Sequence, residues 1–133
     1  ALTDVRFKSF NGTVSNKSKF MDGAQIAAEL AKADGTAFDA LTFGTTEQQD
    51  LARYALQGIR ANPMTADLTP TQAVALAQAD AVAVAAATSA TNYNYDALAA
   101  LRANPAFTQN SSTEIAAIVA NYASVMATVN PSL

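Results

Sequence analysis

The clearest periodicity in the chain lies near its C-terminal end. Ile115, Ile118, Val119, Tyr122, Val125, Met126 and Val129 recur at three- and four-residue intervals, with Asn121, Ser124 and Thr128 opposite them. That spacing lays one apolar stripe along a helix. The run AVALAQADAVAVAAAT at 73–88 reads two ways, because Val74, Leu76, Val82 and Val84 suggest strand-like alternation. Its many alanines decide for helix, since Ala is the best helix former and a poor strand former. The opposite end of the chain has a different rhythm. In DVRFKSFNGTVSNKSKF, Val5, Phe7 and Ser9 alternate with Arg6, Lys8 and Phe10 ahead of Asn11-Gly12, the dipeptide of a tight type I′ turn. The pattern predicts a β-hairpin or extended arm over 1–21, and a lone hairpin needs a surface to lie on.

Helix starts are marked by Asp22-x-x-Gln25, Thr45-x-x-Gln48, Thr69-x-x-Gln72 and Ser111-x-x-Glu114, which match the capping-box pattern. Pro70 fits a first helical turn, and a weaker start falls near Asn92 to Asn94. Stops are marked as well. Asp34-Gly35 predicts the end of the first helix through a left-handed glycine. The string RANP occurs at 60–63 and again at 102–105. Proline disfavours the helical region for the residue before it, so Asn62 and Asn104 become boundaries, with Arg60 and Arg102 at the negative end of a helix dipole. The predicted helices are 22–34, 46–61, 70–88, 93–103 and 112–129.

Sliding the chain by 42 residues superposes the two RANP strings and lays Thr69-Pro70-Thr71-Gln72 on Ser111-Ser112-Thr113-Glu114. Each unit reads helix, stop, short loop, capping box, helix. The fold class is therefore mainly α: an N-terminal β-hairpin or extended arm (1–21) followed by an Ala-rich helical domain (22–133). The latter holds about five short helices in a single bundle, or two stacked helical hairpins. Its expected core is Leu30, Phe38, Leu51, Leu56, Ile59, Leu98, Leu101, Phe107, Ile118, Val119 and Tyr122.

Composition changes this picture in two ways. Charged residues make up only 14% of the 133, against about 25% in an ordinary soluble domain. A surface thinly covered by charge is weakly protected against association. The charge is also uneven. Arg6, Lys8, Lys17 and Lys19 against Asp4 leave residues 1–20 at +3, while four basic and ten acidic residues leave the rest at −6.

Candidate chemistry is sparse. The chain has no Cys and no His, which removes disulfides, the usual zinc sites and His-activated nucleophiles. The five glycines form no phosphate-binding loop, and no nucleophile elbow or calcium loop is present. No cofactor or metal is expected, and no membrane span, because Gln78 and Asp80 interrupt the most apolar run. Glu47 and Asp50 share a helical face as a candidate carboxylate pair, though acidic residues are also favoured at a helix start. Asp80 is expected on a solvent-facing stripe, since unpaired acids are rarely buried. Tyr93, Tyr95 and Phe107 are candidate ligand or interface aromatics.

Arg6, Phe7, Lys8, Phe10, Lys17, Lys19 and Phe20 form a candidate interface on the arm. It would face a neighbouring subunit or its own helices. Nucleic acid is disfavoured, because the acidic body repels a polyanion. The leading expectation is a non-enzymatic structural or assembly subunit that packs with copies of itself or other assembly proteins in a larger particle or filament. A virion or extracellular assembly is favoured over a cytoplasmic role. The alternative is a small helical binding module holding an apolar ligand or a protein partner, and an enzyme built on carboxylates alone is disfavoured.

Overall fold

Each helix start follows a short oxygen-bearing side chain, and two stops come just before a proline. The computed structural model describes residues 23–89 and 92–129. They form α1 (Gly23–Asp39), α2 (Thr46–Ala61), α3 (Pro70–Ala87), α4 (Asn92–Ala103), a 3-10 turn (Pro105–Phe107) and α5 (Ser112–Val129). The structure is thus mainly helical, with no strand among the described residues. The expected arm, its interface residues and the boundary at residue 21 lie outside them. Two compact units divide between Thr36 and Ala37.

The first helix departs from expectation. It runs through Gly35 to Asp39 because Gly35 does not take the left-handed conformation that would end it. A glycine within a helix costs about 1 kcal/mol relative to alanine, which does not stop a helix on its own. Phe38, one turn on, is buried in the second unit's core and tilts against Phe43, with ring centroids 5.1 Å apart.

Within that second unit, α2 packs against α3 and α4, and α5 packs against the same two. The α2 and α4 helices run in the same direction. Tyr54 meets Tyr95 at 5.2 Å between ring centroids, and four residues further along Gly58 faces Ala99, Arg102 and Ala103. A Cβ on Gly58 would lie 2.3 Å from the Ala99 carbonyl oxygen, so only glycine allows this approach. The core is built as much from small residues as from large ones. Ala52, Ala55, Ala73, Ala77 and Ala81 are buried beside Leu51, Ile59, Val74, Val84, Leu98, Ile115 and Val119. Small side chains bring helix axes close, and dispersion contacts multiply at short range.

Of the expected core, Phe38, Leu51, Ile59, Leu98 and Val119 are buried, while Leu56, Leu101 and Phe107 are half-buried against them. Leu30 and Ile118 are also half-buried. Tyr122 is 43% exposed, because the stripe on α5 divides. Ile115, Ala116, Val119 and Ala123 turn inward, while Tyr122, Val125 and Val129 stay in solvent.

The 42-residue offset extends to the hydrogen bonds of the two loops. Thr65 N–H donates to the Asn62 carbonyl and Phe107 N–H to that of Asn104, both at 3.0 Å. Leu68 N–H to Thr65 and Asn110 N–H to Phe107 follow, both at 3.1 Å. Thr69–Gln72 and Ser111–Glu114 each close a reciprocal capping box. At α2 the box is only half made. Thr45 accepts from Gln48 N–H, but the Gln48 side chain reaches past it to Gly44 N–H at 3.0 Å.

Candidate functional site

Charge is placed most deliberately at the junction of the two hairpins, α2/α3 and α4/α5. Asp80 is fully buried, not solvent-facing as expected. An isolated carboxylate there would be untenable, and two groups from the second hairpin resolve it. Arg102 donates from Nε to Oδ2 at 2.6 Å and from Nη2 to Oδ1 at 2.8 Å, and Ser112 Oγ donates to Oδ1 at 2.6 Å. The guanidinium, 2% exposed, uses Nη1 to reach the Asn110 carbonyl at 3.2 Å. This fork-to-fork geometry is the strong form of an Arg–carboxylate contact. Its partners are 22 residues apart, a distance no local sequence pattern bridges.

The two RANP strings consequently have different roles. Arg60 caps its own loop, donating to the Ala66 and Leu68 carbonyls at 2.9 and 2.7 Å. Arg102 makes the same i+8 contact and adds the bond to Asp80. Asn62 and Asn104 both accept from the backbone N–H two residues ahead, at 2.8 and 3.0 Å. Asn62 is also fully buried, and its Nδ2 donates to the Arg102 carbonyl and to Thr108 Oγ1, both at 2.9 Å. These groups lock one hairpin to the other, and none of the interactions leaves a reactive group open to a substrate.

The candidate carboxylates do not converge on a cleft. Glu47 borders a shallow polar hollow with residues 85–89, and one of its carboxylate oxygens is buried without a hydrogen-bond partner. The hollow's lining brings no second titratable side chain to it. Burial raises the Tyr95 hydroxyl above its ordinary pKa of 10.0, and the charges of Asp50 and Glu47 add to this, with Tyr54 contributing after them. That shift extends the pH range over which the phenol stays neutral.

The three candidate aromatics are separated. Tyr95 pairs with Tyr54 of α2, whereas Tyr93 meets Tyr122 of α5 edge-on at 6.2 Å, its hydroxyl buried and unpartnered. Phe107 follows the far end of α4, about 18 Å along a helix of that length. Between α4 and α5 lies instead an open groove of about 360 Å³, lined by Asp96, Ala97, Ala100, Leu101, Ile118 and Tyr122. Only Asp96 brings a charge to it, and its walls are otherwise apolar. Sequence reasoning placed Leu101, Ile118 and Tyr122 in the core. It could not see that their side of α4 and α5 carries no further helix of the second unit among the described residues. No protein-family model, curated protein or solved structure matches the chain, so its function is argued from this geometry alone.

Proposed function

We propose that this chain is a non-enzymatic structural subunit that works by packing against copies of itself or other assembly proteins in a larger particle or filament. The open groove between α4 and α5 carries this reading, together with the exposure of Tyr122, Val125 and Val129 beside it. Contiguous apolar surface with so little charge around it is the usual mark of a protein–protein contact. No helix among the described residues is long and apolar enough to cross a membrane. Light scattering and native mass spectrometry of the full chain test the proposal across concentration and salt. Growth in mass with concentration is the expected result, and a strict monomer at every concentration overturns it.

A second reading draws on the same groove, whose volume suits a small apolar molecule. On that reading a native mass spectrum contains a retained adduct, and substituting Ala100 with tryptophan expels it without altering the oligomeric state.

A further inference from the structure

The six residues of the groove acquire a meaning when moved back by the 42-residue offset. Asp96, Ala97, Ala100, Leu101, Ile118 and Tyr122 become Tyr54, Ala55, Gly58, Ile59, Leu76 and Asp80. Those positions of the first hairpin include the seat on which the second hairpin rests. Tyr54 holds the ring of Tyr95, Gly58 admits the backbone of α4, and Asp80 receives Arg102 and Ser112. Burial records what that seat has and the groove lacks. Ala55, Gly58, Ile59 and Asp80 are buried, whereas Ala97 and Leu101 are half-buried and Ala100 and Tyr122 are exposed. The groove is therefore the next seat in the same series, with nothing described upon it.

What fits such a seat is another helical hairpin of this kind. In the internal junction the seated surface is Tyr95, Ala99, Arg102 and Ala103, and the offset maps these to Arg53, Gln57, Arg60 and Ala61 of α2. Arg53, Gln57 and Ala61 are exposed, and the Arg53 guanidinium stands over the Phe38 ring at 5.1 Å. Because Tyr54 pairs with Tyr95, the same register would set Asp96 against Arg53 of a following copy. The groove's one acid would then meet a cation, and Tyr122 would meet Arg60, a favourable cation–π combination.

Resting on the reading that the chain self-associates, we propose that this groove is the seat for the α2/α3 hairpin of a second copy, so that copies join head to tail. A contact of this kind uses two different surfaces and leaves one of each free at the ends, so it propagates into a filament or closes into a ring. Two differences from the internal seat make it the weaker of the two junctions. Ala100 holds off the approach that Gly58 permits, and Tyr122 stands where Asp80 would form an ion pair.

The test uses the full chain and its dissociation constant from sedimentation equilibrium. Asp96→Arg and Arg53→Asp each place like charges together and should weaken association roughly tenfold at low salt. Combined in one chain, they restore an opposite pair and recover most of the affinity. Ala100→Trp fills the groove at an exposed position and should abolish self-association while leaving the circular dichroism spectrum and thermal midpoint unchanged. A mixture of Ala100→Trp chains with Arg53→Asp chains should then form chiefly heterodimers, because each supplies an intact copy of the surface that is blocked or weakened in the other. Association unaffected by groove filling, or a double charge variant no better than its parents, overturns the head-to-tail contact while leaving self-association standing. A chain that is monomeric throughout overturns both.

Discussion

The α2/α3 and α4/α5 hairpins share a skeleton and differ in what covers them. Their second helices have the same length, 18 residues, at bounds 42 apart, and their loops repeat the same backbone hydrogen bonds. Yet Gly58 is buried where Ala100 is exposed, and Asp80 is buried where Tyr122 is open. Local sequence sets the hairpin, and a handful of side chains decide whether its face accepts a neighbour.

The largest contrast between the hairpins should come from removing each of their two arginines in turn. Arg102→Ala strands Asp80 in the core and should destabilise the fold by about 3–5 kcal/mol. Arg60→Ala removes bonds to partly exposed carbonyls and should cost about 1–2 kcal/mol. Urea midpoints followed by circular dichroism measure both. The apolar double variant Asp80→Leu with Arg102→Met should recover much of the first loss, because neither buried charge remains.

Gly58 and Ala100 give the next contrast. Gly58→Ala drives a methyl into the α4 backbone and should cost about 3 kcal/mol, the upper end for overpacking. Ala100→Gly adds backbone freedom at an exposed helical position and should cost about 1 kcal/mol. Equal losses in the thermal midpoint would show that the two faces are equivalent after all. The asparagines follow: Asn62→Ala should cost about 2 kcal/mol through its buried donors, and Asn104→Ala about 1 kcal/mol as a lost cap.

The smallest effect is one of pH. Tyr95 has its pKa raised on folding, by burial and then by nearby acids. A folded pKa above the unfolded one favours the neutral phenol, so this contribution is complete below about pH 10 and is lost as pH rises through the folded value. Denaturant midpoints taken from pH 9 to 11 should fall, and they should fall less in Tyr95→Phe.

Much of the skeleton was legible in the chain because its signals are local. Capping side chains and prolines act within three or four residues, so the bounds of α2 and the start of α5 follow from them directly. Gly35 misled for a related reason, since a glycine near a capping residue signals a stop only when its backbone turns left-handed. The junction was not legible. Asp80 and Arg102 lie on different helices, and an acid in an alanine-rich run looks the same whether it meets water or a guanidinium. RANP carried a true boundary signal twice and concealed that only the second arginine also pairs with Asp80. The groove escaped notice because apolar periodicity reports which face of a helix avoids water, not whether anything is there to cover it.

The Asp80–Arg102 pair also answers a problem of alignment. Ala73, Ala77 and Ala81 recur every four residues along α3, so that surface looks much the same one helical turn up or down. A neighbouring helix resting on alanines alone could slip along such a surface by a turn, about 5.4 Å, with little change in apolar contact. Such a slip would set Arg102 against Leu76 or Val84 and leave two buried charges unpaired. The ion pair thus works as a locating pin, and with the Gly58 notch and the Asn62 bonds it gives the hairpins a single position at which they mate.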